Sequence, residues 1–171
     1  MARGATDWDS WMRRLLIQAS HLGTLALREV PVCAVVIDAQ GRCIGRGSNC
    51  REVDHDPFGH AEIIALRQAA RLRGDWRFNN CTLIVTLEPC PMCAGALVQA
   101  RMGRVVFGAS DPKRGALGGT INLAEHKSAH HCMQVLPGVC EEEAQQQLKS
   151  WFKNKRRQRP YGSWEAPSRK D

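Results

Sequence analysis

Apolar side chains recur at three- and four-residue steps near the beginning of the chain, at Trp11, Leu15, Leu16, Ala19 and Leu22. This period predicts an amphipathic helix over residues 8–27. Three further helices are predicted over residues 60–73, 91–102 and 140–157. Gly74 is placed to end the second of these helices, and Pro91 stands in the first turn of the third, where its missing N–H costs least.

Runs of β-branched and apolar residues alternate with these helices and predict strands over residues 30–38, 42–48, 82–87, 104–108 and 134–136. The first two strands flank a turn and form a hairpin, whereas residues 82–87 are apolar throughout, as in a strand that is buried on both faces. The segments 49–59 and 111–131 are polar or rich in glycine and are predicted to be loops.

Strands that alternate with helices indicate an α/β protein. We expect a three-layer α/β/α sandwich around a central, mixed, five-stranded sheet. The 171 residues suit one domain with a sizeable core, and the sequence contains neither an internal repeat nor an interdomain linker. We therefore expect a single domain over residues 1–158, followed by a flexible tail over residues 159–171.

The composition argues against several classes of protein. No apolar run approaches the roughly 20 residues of a membrane span, and the polar N-terminus lacks the apolar core of a secretory signal. We therefore expect a cytoplasmic protein that does not enter a membrane. In a reducing compartment, the eight cysteines are expected to be metal ligands or small buried residues and not disulfides.

The formal net charge of +7 favours a polyanionic partner such as nucleic acid. Six cations and no acid lie between residues 149 and 159, at Lys149, Lys153, Lys155, Arg156, Arg157 and Arg159. The plainer explanation is a solvated helix end whose cations offset the helix dipole. Because six cations exceed what a dipole requires, we favour contact with nucleic-acid phosphates.

One group of residues carries recognisable chemistry, namely His60 and Glu62, followed downstream by Cys90 and Cys93. One imidazole and two thiolates are three zinc ligands, and a catalytic zinc site has three and keeps water in the fourth position. Glu62 is then a proton carrier for that water. The two cysteines lie in the first turn of a helix, where the dipole favours their thiolate forms. The H-x-E…P-C-x-x-C pattern is the signature of zinc-dependent nucleobase deaminases.

A structural zinc site in an RNA-binding module without catalysis is one alternative. It would need a fourth protein ligand, for which Cys81, His131 and Cys132 are candidates, although none has the usual paired spacing. Taken singly, the histidine would be read as a surface residue and the CxxC pair as a redox pair.

The residues around this group resemble the cytidine and deoxycytidylate deaminase superfamily, and within it the bacterial tRNA-specific adenosine deaminases. The resemblance rests on residues 29–32, 49, 55–57, 60–63, 65–68, 86–90, 92–96, 103–109, 111, 113, 115–116 and 151–152. It implies a cytidine deaminase-like fold, one Zn²⁺ per subunit and a homodimer. Two positions depart from the pattern: Phe58-Gly59 stands where relatives more often have small residues such as Thr-Ala, and Cys33 stands where glycine is common.

The same resemblance implies hydrolysis of the wobble adenosine of a tRNA anticodon stem-loop to inosine, with release of ammonia. His60, Cys90 and Cys93 are then the zinc ligands, and Glu62 is the catalytic acid and base. Asn49 would contact the base and Asp111 the ribose side of the flipped nucleotide, although both residue types also cap loop backbone. The expected substrate-binding residues are Asn49, Asp111, Val32, Leu87, Glu88 and Phe58. The expected RNA backbone contacts are Lys149, Lys153, Lys155, Arg156 and Arg157.

A deaminase of a free nucleobase or nucleoside, such as guanine or cytosine, is the alternative within the same superfamily. A small neutral substrate would gain little from the basic C-terminal helix, which argues against this alternative. An anticodon loop, in contrast, already presents unpaired bases to a pocket.

Overall fold

The computed structural model describes residues 7–25 and 29–158. Within them lie four helices, α1 (Trp8–Leu25), α2 (Ala61–Arg73), α3 (Pro91–Gln99) and α4 (Glu141–Arg157). The strands are β1 (Cys33–Ile37), β2 (Cys43–Ser48), β3 (Thr82–Leu87), β4 (Arg104–Ala109) and β5 (Gln134–Leu136). The end of the predicted first helix, at residues 26 and 27, and the predicted tail over residues 159–171 lie outside the described residues.

The five strands form one sheet in the order β2-β1-β3-β4-β5. β1 pairs antiparallel with both β2 and β3, whereas β4 pairs parallel with β3 and β5. The expected mixed sheet is thereby confirmed. The parallel half follows from the connections, because α3 carries the chain from the end of β3 back to the start of β4.

Strand β1 shows why the sheet is covered on both faces. Its five residues are all buried, and Ala34 and Val36 belong to one core cluster while Cys33, Val35 and Ile37 belong to the other. Helices α2 and α3 pack on the first face, and α1 and α4 pack on the second. The three-layer α/β/α sandwich expected from the alternating elements is therefore confirmed.

Two predicted elements are three residues shorter at one end in the structure, for local reasons. Helix α3 ends at Gln99 and not at Met102, because Arg101 adopts a left-handed conformation with φ of 52° and the Met102 N–H bonds the Leu97 carbonyl oxygen at 3.0 Å. Strand β1 begins at Cys33 and not at Val30, because the Val32 N–H turns back to the Val30 carbonyl oxygen at 2.8 Å.

One edge of the sheet gathers the segments that matter for chemistry. β2, β3 and β4 all end there, and β1 begins there, so the chain leaves this edge through Asn49, through residues 88–90 and through residues 110–119. Crevices at the carboxyl ends of strands are common ligand sites in α/β proteins.

Within residues 7–25 and 29–158, no helix combines the length and apolar character needed to cross a bilayer.

Candidate active site

Two helix N-termini bring the predicted metal ligands together. His60 is the residue that precedes α2, Cys90 precedes α3, and Cys93 lies in the first turn of α3. The His60 Nδ1 atom lies 3.5 Å from the Cys93 Sγ and 3.7 Å from the Cys90 Sγ, and the three donor atoms lie within 4.8 Å of one another. Residues 30 positions apart in the chain thus form one compact donor group.

The donor group has the dimensions of a tetrahedral zinc site. Zinc–sulfur and zinc–nitrogen bonds of about 2.3 and 2.0 Å at the tetrahedral angle place a sulfur and a nitrogen about 3.5 Å apart. The two sulfur–nitrogen distances of 3.5 and 3.7 Å match that separation. The residues present therefore fit a three-ligand zinc site, with the fourth position of the tetrahedron left to a non-protein ligand.

The thiols of Cys90 and Cys93 have very different pKa values. The hydrogen bond from Cys93 lowers the pKa of Cys90 to about 3, and the same contact raises the pKa of Cys93 well above its ordinary value. A hydrogen bond with Cys90 raises the pKa of His60. The group thus holds one thiolate readily, and a bound cation would stabilise the second.

Glu62 lies one residue inside α2 and is 4% exposed. Burial raises the pKa of its carboxyl group to about 7. A carboxyl group with that pKa both accepts and releases a proton near neutral pH, which is the property that a general acid and base needs.

A cavity of about 210 Å³ opens beside this group. Glu62, His60 and Cys90 form part of its wall, whereas Cys93 is fully buried behind them. Five of the six expected substrate-binding residues also line it, namely Asn49, Asp111, Val32, Leu87 and Glu88. The sixth, Phe58, is 55% exposed and is absent from the described lining.

Asn49 and Asp111 both bond backbone groups while facing the cavity, Asn49 to two distant segments and Asp111 within its own turn. The Asn49 amide oxygen accepts the Ala61 N–H at 3.0 Å, and its amide nitrogen donates to the Val30 carbonyl oxygen at 3.2 Å. Asp111 Oδ1 accepts the N–H groups of Lys113 and Arg114, both at 3.0 Å. These bonds fix the two side chains at the wall. Asn49 keeps a second amide N–H and Asp111 a second carboxylate oxygen for other partners.

The five cations expected to contact RNA lie on α4. Lys149, Lys153, Arg156 and Arg157 are exposed, and the Lys155 ammonium lies 4.6 Å from the centre of the Trp151 ring. The neighbouring Phe152 is 44% exposed and lines the cavity. The C-terminal half of helix α4 therefore lies beside the cavity. Arg159, the sixth cation of the cluster, lies outside the described residues.

The cavity wall also includes residues that the sequence did not single out as site residues. Glu29, Arg51 and Arg114 are among them, and Glu29 is 5% exposed with its Oε1 accepting the N–H groups of Glu52 and Val53 at 2.6 and 2.9 Å. Glu29 directly precedes the apolar run 30–37 and is among the residues that carry the family resemblance, which is the signal that could have found it. The two arginines lie in loops and give no periodic signal.

Two of the three candidates for a fourth protein ligand have other partners, and the third, Cys132, is an exposed thiol outside the donor group. The Cys81 Sγ lies 2.7 Å from the Arg73 guanidinium, and the His131 ring nitrogen lies 2.8 Å from the Met102 carbonyl oxygen. Among the described residues, the donor group contains His60, Cys90 and Cys93 alone. All eight cysteines are free thiols, and Cys33 is fully buried beside the Ser48 hydroxyl at 3.3 Å, as expected for a small core residue.

Comparison with known proteins shows which class of protein this chain belongs to. The family model of the MafB19-like deaminases matches residues 6–154. A guanine deaminase from Nitrosomonas europaea superposes with a TM-score of 0.68, covering 84% of this chain and 83% of that one, at 20% identity. That likeness shows the shared fold. The family model covers more than half of the chain, so this protein is a member of the deaminases.

Two curated relatives are closer in sequence. The tRNA-specific adenosine deaminase of Haemophilus influenzae is 41% identical over 158 residues, covering 92% of this chain and 91% of the relative. That of Bacillus subtilis is 43% identical over 131 residues, covering 77% and 81%. A structure from studies of A-to-I editing by tRNA:A34 deaminases has a TM-score of 0.75 at 36% identity, covering 81% of this chain and 98% of that one. This chain belongs to the family of tRNA-specific adenosine deaminases.

Proposed function

We propose that this protein hydrolyses the wobble adenosine of tRNA to inosine and releases ammonia. The observation that carries the proposal is a donor group one ligand short of a tetrahedron, placed in a cavity wall beside the buried Glu62. Family membership supports the choice of substrate, since the curated relatives are named for tRNA-specific adenosine deamination.

We propose that His60, Cys90 and Cys93 hold one Zn²⁺ per subunit. The sulfur–nitrogen distances of 3.5 and 3.7 Å and the mixed imidazole and thiolate donors support this metal. When bound, zinc supplies an acidified water as the nucleophile at neutral pH.

Glu62 is proposed to move every proton of the reaction. Its carboxylate takes a proton from the attacking water and passes it to N1 of adenine as the new bond to C6 forms. It then takes the second proton of that water to the exocyclic nitrogen, and the bond between C6 and nitrogen breaks to release ammonia. One buried carboxyl group performs both transfers because its pKa of about 7 lets it alternate between its two forms.

The remaining wall residues are proposed to hold the flipped nucleotide. Asn49 is assigned to the base and Asp111 to the ribose, while Val32 and Leu87 provide apolar surface on the cavity wall. Flipped bases are read by hydrogen bonds to their edges and by packing against apolar side chains, which is the chemistry that this wall offers. Phe58 was also expected to bind the substrate, but it is not among the described residues that line the cavity.

The cations of α4 are proposed to contact the phosphates of the anticodon stem-loop. The same helix carries Phe152 at the cavity, and the cations lie on both sides of Phe152 in the chain, at Lys149, Lys153, Lys155, Arg156 and Arg157. A nucleotide in the cavity would therefore place its flanking phosphates near a basic surface, where they gain electrostatic stabilisation.

We propose, from the family resemblance, that the protein acts as a homodimer. The exposed apolar side chains of Val53, Phe58, Leu72, Trp76 and Ile121 offer surface that a second subunit could cover. Sedimentation equilibrium would report twice the mass of the chain if the dimer forms.

The cytoplasmic location expected from the sequence stays a prediction.

The proposed reaction is tested with an anticodon stem-loop that carries adenosine at the wobble position. Purified protein should convert that adenosine to inosine, and protein stripped of metal should not. A stem-loop with guanosine at the same position, free adenine, free guanine and free cytosine serve as controls. Turnover of a free base without turnover of the stem-loop would overturn the proposal in favour of a free-base deaminase.

A further inference from the structure

The carboxylate of Glu88 is buried, with 3% of the residue exposed, and receives three backbone N–H groups from one loop. Glu88 Oε1 accepts the N–H groups of Leu117 and Gly119 at 3.0 and 2.8 Å, and Oε2 accepts the N–H of Asp111 at 2.8 Å. A carboxylate offers about four acceptor positions. Three of them are occupied by the loop, so little capacity remains for a substrate.

The loop over residues 111–119 is shaped around this carboxylate. A Cβ atom added at Gly115 would collide with the Glu88 carboxylate, and one added at Gly119 would meet the Asp111 carbonyl oxygen. The Gly115 N–H also bonds the Asp111 carbonyl oxygen at 2.8 Å, which closes the loop on itself. Two side-chain-free positions therefore let the backbone approach the acid closely.

Glu88 also joins the two halves of the cavity wall. It lies two residues before Cys90, and its own N–H bonds the Ala109 carbonyl oxygen at 2.8 Å. The Ala116 N–H bonds the Pro89 carbonyl oxygen at 2.9 Å. The loop that carries Asp111 and Arg114, both at the cavity, is thus tied to the turn that carries a metal ligand.

We propose that Glu88 is a positioning residue that holds the loop over residues 111–119 and so places Asp111 against the bound nucleotide. This assignment differs from direct substrate binding, which the sequence led us to expect for Glu88. It rests on the proposed function, because Asp111 is assigned to the ribose there. Its consequence is that Glu88 acts on the affinity for the nucleotide and leaves proton transfer to Glu62.

The substitution Glu88→Gln tests this role with little change in volume. An amide keeps one acceptor oxygen and replaces the other with N–H donors, which cannot bond the facing backbone N–H groups. We expect KM for the stem-loop to rise roughly tenfold, since one or two hydrogen bonds are lost, while kcat changes less than about threefold. Glu125→Gln, at an exposed acid of the neighbouring segment, is the matched control and should leave both constants unchanged.

Hydrogen exchange gives a second measurement that does not depend on activity. The amides of Asp111, Leu117 and Gly119 should exchange faster in the Glu88→Gln protein, with zinc content unchanged. Wild-type exchange at all three amides would overturn the proposal, and so would a loss of kcat at constant KM. If the wild type itself does not deaminate the stem-loop, the proposed function fails, while the exchange result still decides whether Glu88 holds the loop.

A double-mutant cycle decides whether Glu88 acts through Asp111. Because residues that act as a unit are not additive, Glu88→Gln should add little to the KM increase of Asp111→Ala. Effects on KM that multiply would contradict the proposal. Gly115→Ala is an independent variant, because its added methyl group collides with the Glu88 carboxylate and displaces the loop while the carboxylate stays intact. It should raise KM as Glu88→Gln does. If it leaves KM unchanged, the loop does not depend on the carboxylate.

Discussion

The donor group and helix α4 belong to the same cavity but are built in opposite ways. His60, Cys90 and Cys93 stand at the N-termini of two helices that pack on one sheet, and Cys93 is fully buried. The cations of α4 are mostly exposed, and we propose them as contacts for RNA phosphates. The proposed chemistry is thus fixed by rigid elements, whereas the proposed RNA contacts depend on side chains whose charges are screened by salt. Substitutions in the first region should abolish turnover, and those in the second should change KM and its salt dependence.

The largest effect is expected at a metal ligand. Cys90→Ala removes one of three donors, so the zinc content should fall well below one per subunit and deamination should become undetectable. Elemental analysis and single-turnover assays of the same preparation measure both. Cys132→Ser, at an exposed thiol, is the matched control and should keep both. A Cys90→Ala protein with full zinc and wild-type turnover would remove Cys90 from the ligand set.

The next largest effect is expected at Glu62. Glu62→Ala should lower kcat by about 10⁴-fold, the upper end for general acid–base catalysis, because one carboxyl group serves both transfers. Zinc content should stay at the wild-type level, since Glu62 is not a ligand. Glu142→Ala, at an exposed acid of α4, is the control. A near-normal kcat in Glu62→Ala would assign the protons to another group.

Neutralising three cations of α4 should leave kcat intact and weaken binding. With Lys155, Arg156 and Arg157 all changed to Gln, we expect KM for the stem-loop to rise at least tenfold at low salt. The slope of log KM against log salt should fall by about two, since each phosphate contact releases about 0.7 counterions on single strands and three contacts are removed.

The matched control for this triple variant changes Arg67 and Arg71 to Gln, two exposed cations of α2 that do not line the cavity. This control should keep the wild-type KM and salt slope. If the α4 variant also keeps both, α4 is not part of the RNA interface.

The smallest effect distinguishes the two exposed phenylalanines. Phe152 lines the cavity and Phe58 does not, although both are about half exposed. Phe152→Leu should raise KM about fivefold if its ring stacks on a base, which is the low end of measured stacking contributions. Phe58→Leu should leave KM unchanged. The reverse pattern would restore Phe58 to the substrate site.

The parts of the fold that the sequence predicted well are those with local causes. Strands over residues 82–87 and 134–136 were predicted with the bounds that the structure has. A proline follows each of them within two residues, at Pro89 and Pro137, and marks its end. The early end of α3 was not predicted, because no residue type in the sequence signals the hydrogen bond from the Met102 N–H to the Leu97 carbonyl oxygen.

The donor group was predictable for a different reason. Cys90 and Cys93 lie three residues apart at the start of one helix, so their spacing places both sulfurs on one face. His60 was placed beside them through the H-x-E…P-C-x-x-C pattern and not through its distance in the chain. The role of Glu88 was not predictable, because its three bonding partners lie 23, 29 and 31 residues away in a loop without periodicity. Its motif position suggested a substrate contact, whereas the structure shows a carboxylate occupied by backbone.

X-ray absorption spectroscopy of the zinc-loaded protein tests the open donor group most directly. We predict two sulfur neighbours at about 2.3 Å and two lighter neighbours at about 2.0–2.1 Å, one from His60 and one from solvent. A shell with three sulfurs, or two histidine nitrogens with two sulfurs, would show a closed structural site and contradict a three-ligand catalytic zinc.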